Sequence, residues 1–298
     1  PFGSFLCVRL IFESNQSRCG IPAVSEQTMD IFLAIVLVLG LTGTIAGLGA
    51  GILGVGGGFV MVPVQYWVLT GLFGVEPTLA TRIAFATSLA VILPTAIVTA
   101  SGHAKKGAVA WDSVKHMLIP GFLAAIAGAY VATSVQGDWL RYLFGFLLLG
   151  AAVKMALKPS YQADKERNTA VWVFISIGAI FGFLSGLLGI GGGYLIVLFL
   201  TLVSGYQIHR AVGTSTAFLI FASAGGVLAY ILFGWGVTGI PGPSLGYIDL
   251  QQWIILVVTT IPASFVGVSL SHRISARHLE WLFVGLLILS ALKMFGFF

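Results

Sequence analysis

Two glycine-rich stretches carry most of the chemistry this sequence offers. Gly47 to Gly58 reads GLGAGILGVGGG and Gly182 to Gly193 reads GFLSGLLGIGGG, so a shift of 135 positions superposes Gly47, Gly51, Gly54 and the triplet Gly56, Gly57, Gly58 on glycines. Three consecutive glycines exceed what close packing needs, because each costs about 1 kcal/mol against alanine inside a helix. A helix broken there exposes backbone N–H groups, and the helix restarting at Phe59 or Tyr194 turns the positive end of its dipole toward the break. Gly54, Gly56, Gly57 and Gly58, with Gly189, Gly191, Gly192 and Gly193, are therefore candidate seats for a small oxyanion. The same spacings, Gly47/Gly51 with Gly54/Gly58 and Gly182/Gly186 with Gly189/Gly193, also suit plain helix packing without a ligand.

Hydroxyls recur in the same way. Ala86-Thr87-Ser88-Leu89 matches Gly213-Thr214-Ser215-Thr216 at a shift of 127, with Arg82 falling on His209. Neutral hydroxyls at Thr87, Ser88, Thr214 and Ser215 can bind an anion without trapping it, although hydroxyls in apolar helices also bond back to a carbonyl one turn earlier. Arg82, His209 and Arg210 begin the helices that carry them. They can draw an anion inward, or reach the headgroups as isolated charges commonly do. Gln65 is a polar candidate for lining the path, Pro63 and Pro94 are candidate kinks, and Lys154 and Lys293 suit the negative ends of their helices.

Other chemistries are excluded. Gly49-Ala50-Gly51-Ile52-Leu53-Gly54 formally satisfies the dinucleotide fingerprint, but it continues an apolar helix rather than a strand and turn, and Leu184 replaces Gly49 in the second copy. The ten carboxylates lie in or beside polar connections and the five histidines near segment ends, leaving no buried acid and imidazole cluster for a metal site, a carboxylate proton relay or an enzyme reaction. Cys7 and Cys19 match no ligand spacing.

The elements that must position these residues belong to a bilayer. Of 298 residues 58 % are hydrophobic and only 8 % charged, with a mean hydropathy of +1.02, whereas soluble domains carry about 25 % charged residues. Apolar segments run from Ile31 to Leu53, Phe59 to Leu72, Leu79 to Ala100, Val114 to Val135, Leu140 to Leu157, Val171 to Leu188, Tyr194 to Val203, Ala211 to Gly236, Trp253 to Leu270 and Leu279 to Phe298. Those starting at Phe59 and Tyr194 are too short to span, since a crossing takes roughly 20 residues. The expected fold is an all-α polytopic bundle of about eight principal transmembrane helices, or ten segments with the glycine-interrupted half-helices. The organisation reads as a polar tail over 1–28, a first repeat over 29–158, a cytoplasmic linker over 159–169 and a second repeat over 170–298. The net charge of +5 is spread over short loops, which suits the positive-inside rule rather than nucleic acid. Lys105, Lys106 and Lys115, and Lys154, Lys158, Lys165 and Arg167, put those connections in the cytoplasm. Parallel and inverted repeats both stay open at this stage, as does the oligomeric state.

The pattern G-x-x-x-G-x-x-G-x-G-G-G in each half, followed by A-T-S-L in the first and G-T-S in the second, resembles the signature of the TauE/SafE family of sulfite exporters over about Asp30 to Phe298. The resemblance implies an inner-membrane carrier, without enzyme activity or cofactor, for sulfite or a sulfonate such as sulfoacetate. It carries over the binding elements Gly54 to Gly58 with Thr87 and Ser88, and Gly189 to Gly193 with Thr214 and Ser215. Leu198 departs from the pattern where the first half has Pro63. Export by alternating access is the leading expectation; a gated anion channel and an importer are the alternatives. The inside-negative potential favours anion exit by about 2.3 kcal/mol per charge per 100 mV, so no buried proton-coupling carboxylate is required.

Overall fold

A computed structural model describes residues 26–157, 169–270 and 276–297. Cys7, Cys19 and nearly all of the expected tail and linker lie outside the described residues. Ten helices are described: α1 (Glu26–Leu53), α2 (Gly58–Trp67, continued by one π-turn over Val68–Leu72), α3 (Pro77–Lys105), α4 (Trp111–Ser134), α5 (Gly137–Leu157), α6 (Val171–Leu188), α7 (Gly193–Ser204), α8 (Ile208–Phe233), α9 (Leu250–Leu270) and α10 (Ala276–Phe295). A two-stranded antiparallel hairpin, β1 (Ser244–Leu245) and β2 (Ile248–Asp249), precedes α9. The chain divides into two compact units, Pro1–Val36 and Leu37–Phe298. In the first, the described part is the opening of α1; the features below belong to the second.

Six helices are long and apolar enough to cross a bilayer, namely Phe32–Leu53 within α1, α3, α4, α6, α8 and α9. Helices α5 and α10 have 21 and 20 residues, the length of a crossing, but the described apolar part of α10 is shorter, Val284–Phe295. Helices α2 and α7, with 10 and 12 residues, rise only about 15 and 18 Å, roughly half of a 30 Å hydrocarbon core. Large apolar side chains such as Leu41, Ile119, Phe146, Ile180 and Val258 cover the outer surface, and exposed Trp111, Trp139, Trp172 and Trp235 stand at helix ends, as membrane interfaces favour. The protein is an all-helical, multi-pass membrane protein.

Glycines set how closely the helices approach. On α1, a Cβ at Gly47 or Gly51 would collide with the Thr260 or Ser264 carbonyl of α9. On α6, one at Gly182 or Gly186 would collide with the Gly121 or Ala125 carbonyl of α4. The packing role of these stripes is therefore real. Helix α3 is the most enclosed of the six long, apolar helices. It runs antiparallel to α8: His103 lies beside Gly213, whereas Leu89, a little over one helical turn after Phe85, lies beside Gly226.

The start of α3 follows from local chemistry. Pro77 occupies its first turn, and Glu76 accepts the Thr78 and Leu79 N–H groups at 2.9 Å each. The Thr78 N–H, foremost, holds the Glu76 carboxyl below the usual range. A lowered carboxyl stabilises the fold above its unfolded-state pKa, and that contribution disappears as pH falls through the lowered folded-state value. The connection from Gly234 to Asp249 does not stay at the surface: Tyr247, Ile248 and Asp249 are buried. This corrects the expectation that every carboxylate keeps to a polar connection.

Thermal unfolding in detergent checks this packing. Gly186→Ala should lower the midpoint. Gly150→Ala, on α5 with nothing within 4 Å of the added methyl, should leave it unchanged or raise it by the equivalent of about 0.5–1 kcal/mol. Glu76→Ala should cost about 1 kcal/mol near neutral pH and progressively less in acid.

Candidate functional site

Helix α1 ends at Leu53 and α2 begins at Gly58; α6 ends at Leu188 and α7 begins at Gly193. Both glycine stretches are therefore true breaks. Their backbone is the same: φ is 68, 82 and 79° at Gly54, Gly56 and Gly57, and 66, 76 and 70° at Gly189, Gly191 and Gly192. Gly57 and Gly192 are the N-caps of α2 and α7, and their carbonyls accept the Met61 and Ile196 N–H groups at 3.2 Å.

The two breaks lie against each other. A Cβ at Gly58 would stand 2.7 Å from the Gly189 carbonyl oxygen and 2.9 Å from Ser88 Oγ, while one at Gly193 would collide with the Gly54 carbonyl. Gly56 and Gly191 share a neighbour, Leu219 of α8, at 3.2 and 3.1 Å from the position of an added Cβ, and both also face Ile92 of α3. The positive end of each half-helix thus meets the carbonyl end of the opposite long helix. A cavity of about 40 Å³ touches Gly192 and Gly193 and is otherwise walled by apolar residues, including Val55, Phe59 and Leu195.

Serines hold this junction. Ser88 Oγ donates to the Gly189 carbonyl at 2.7 Å. Ser215 Oγ lies 3.0 Å from the Gly193 carbonyl and 3.4 Å from that of Gly54, so one proton serves two acceptors across the breaks. Thr87 and Thr214 have a different task. Thr87 Oγ1 accepts the Asp249 backbone N–H at 3.0 Å, and Thr214 Oγ1 accepts that of Ala110 at 3.0 Å while donating to the Arg210 carbonyl at 2.6 Å. These threonines anchor the entries to α9 and α4.

Gln65 is fully buried on α2, and neither polar atom of its amide has a hydrogen-bond partner. Such an orphan calls for a ligand, ion or water. Arg82 donates from Nη2 to the Val135 carbonyl at 3.1 Å, with its Nε buried and unpartnered. Arg210 lies over the Tyr206 ring at 5.2 Å, and His209 is exposed. Because α3 and α8 are antiparallel, Arg82 stands at one end of the pair and His209 and Arg210 at the other. The breaks are thus brought to Ser88 and Ser215, not to the cationic residues.

Sequence reasoning passed over four buried groups. Ser185, near the end of α6, has an unpartnered hydroxyl. His103 is buried with Nε2 at 3.2 Å from the Gly51 carbonyl. Asp249 and Gln252 bond to each other at the head of α9 at 3.1 Å. A signal for the last pair existed: the shift of 139 that aligns Gly107 with Gly246 also puts Asp249 on Ala110 and Gln252 on Ser113. Among the described residues no three His, Cys, Asp or Glu side chains converge as metal ligands would.

The two N-cap glycines differ in surroundings. Gly57→Ala would meet Ala46 Cβ and the Ala46 carbonyl oxygen at 2.9 Å, whereas Gly192→Ala would find nothing nearer than the Phe181 carbonyl at 3.5 Å. Both should incur the left-handed penalty of about 1–2 kcal/mol, and Gly57→Ala should lower the unfolding midpoint further than Gly192→Ala.

Comparison with known proteins gives this architecture a family. The description Sulfite exporter TauE/SafE matches residues 39–294. A probable membrane transporter protein of Haemophilus influenzae is 32 % identical over 89 % of this chain and 99 % of its own length. One of Methanocaldococcus jannaschii is 29 % identical over 84 % and 91 % respectively. Another, YjnA of Bacillus subtilis, is 25 % identical over 85 % and 97 %. No solved structure matches the chain. With its glycine breaks, its crossing helices and a family match over most of its length, the chain belongs to the TauE/SafE family and is a membrane transporter.

Proposed function

We propose that this transporter exports a small sulfur-containing anion, sulfite or an organosulfonate such as sulfoacetate, across the inner membrane by alternating access around its two glycine breaks. The observation that carries this reading is the meeting of the breaks. Two half-helices enter the middle of the bundle from opposite sides, each bringing a positive peptide-dipole end to a junction lined by Ser88 and Ser215, with the orphaned amide of Gln65 on one of them. Neutral donors of this kind bind an oxyanion and still release it. The equivalent helices α3 and α8 run antiparallel, which suits two repeats of inverted topology, the arrangement that lets one half rock against the other around a central site.

Each half-helix terminus rests on the opposite carbonyl end. An arriving anion would take the N–H groups at the two half-helix termini as its donors, and the hydroxyls of Ser88 and Ser215 would turn from the carbonyls to it. Arg82 at one end of the α3–α8 pair and His209 with Arg210 at the other would raise the local anion concentration on both faces.

Efflux of sulfite and sulfoacetate from proteoliposomes tests the reading. Saturation with concentration and acceleration by counterflow are expected of a carrier; current linear in the gradient without counterflow would make the protein a channel. Gln65→Leu, which keeps the volume and removes the amide, should slow efflux about threefold to tenfold, the value of one neutral hydrogen bond, with an unchanged unfolding midpoint. Bulky replacements at Gly57 and Gly192 should abolish efflux.

A further inference from the structure

Asp249 is a carboxylate with more chemistry than its place in the fold requires. It is 3 % exposed. Its backbone N–H bonds Thr87, ten residues into α3, a helix whose 29 residues span about 43 Å. Thr87 lies about 15 Å along that axis from the start of the helix. Oδ1 accepts the Gln251 and Gln252 N–H groups at 2.9 and 3.2 Å and so caps α9. An asparagine or serine would cap as well. Oδ2 has a single partner, Gln252 Nε2 at 3.1 Å, and Gln252, itself 2 % exposed, has an Oε1 without any partner.

The backbone contact does not call for an acid either. Ala110, on which Asp249 falls at the shift of 139, makes the same bond to Thr214 with no polar side chain. No cation neutralises Asp249 among the described residues. Ion pairs there join Lys115 with Asp112 and Arg141 with Asp138. Of the titratable groups on the elements packed against it, Tyr247 precedes it by two residues in the hairpin, Tyr230 of α8 packs edge to face with Tyr247 and donates its hydroxyl to the Gly186 carbonyl at 3.0 Å, and Arg82, five residues before Thr87 on α3, bonds the Val135 carbonyl. Helix α9 offers it only the amides of Gln251 and Gln252. A buried ionisable side chain without a counter-charge, in a chain that crosses a membrane, points to an ion or proton pathway.

We propose that Asp249 is the proton-binding residue of the transport cycle, gaining a proton at Oδ2 in one conformer and losing it in the other, so that anion export is coupled to proton movement. The proton comes from water and forms an O–H bond at Oδ2; no other bond is made or broken, and it returns to water when the conformer changes. Gln252 serves both states by turning its amide: Nε2 donates to the ionised oxygen, and Oε1 accepts from the protonated one. The connection to the breaks is short. Asp249 is bonded to Thr87, and the next residue, Ser88, holds the Gly189 carbonyl at 2.7 Å.

This inference rests on the protein being an anion transporter, and two measurements separate its failure from that of the transport reading. The first is infrared titration of the purified protein. A protonated-carboxyl band is expected that fades as pH rises and that Asp249→Asn lacks. Identical spectra for the two proteins throughout would overturn the proposal even if no anion were transported. The second is efflux of radiolabelled sulfoacetate, whose own charge is constant from weakly acid to weakly alkaline pH. Wild-type efflux should change about tenfold with pH, the full swing of one titrating group over one unit either side of its midpoint. Asp249→Asn should keep sulfoacetate exchange but lose the pH dependence, and Asp249→Glu should restore it with a shifted midpoint. A flat wild-type profile, dependence on sodium instead of protons, or an Asn variant that keeps the profile would overturn it.

Discussion

Inside a lipid bilayer every backbone N–H and C=O must find its partner within the protein, and this protein breaks two helices where water is least available. The rest of the structure follows from how the broken ends are covered. Each N-terminal end of a half-helix rests on the carbonyl end of the opposite long helix, and Ser88 and Ser215 donate to the Gly189 and Gly193 carbonyls. Glycine is indispensable on both counts. It adopts the left-handed turns that end one helix and start the next, and it lacks the Cβ that would hold the breaks apart at Gly58 and Gly193.

Close approach organises the remainder of the bundle in the same way. Helix α1 meets α9, and α6 meets α4, each through glycines pressed on carbonyl oxygens of the partner. Each broken helix is therefore braced by a helix from the other part of the chain, and α3 and α8 cross between them beside both breaks. Such an arrangement has few continuous degrees of freedom and a small set of alternative contacts. Ser215 stands between the Gly193 and Gly54 carbonyls at 3.0 and 3.4 Å, one hydroxyl reaching both breaks.

Much of this was legible in the residues. Composition placed the chain in a membrane, the triplets marked the breaks because glycine runs are costly in helices, and the segments from Phe59 and Tyr194 were too short to span. Ser88 and Ser215 were singled out by their matched positions, and they do reach the breaks. Thr87 and Thr214 were singled out by the same signal, yet they hold the entries to α9 and α4. Neighbouring residues on a helix point about 100° apart, so a shared motif does not imply a shared direction.

The amino-acid sequence by itself determined that this is a polytopic membrane protein with two interrupted helices, since hydropathy and backbone freedom are local properties of residue types. Only the tertiary structure decided that α3 and α8 run antiparallel, that the breaks touch, and that Asp249 and His103 are buried although both flank polar connections. The physical reason is that burial and pairing depend on what the rest of the chain brings alongside. A carboxylate in a glycine- and proline-rich loop looks solvated until the loop folds back against Thr87.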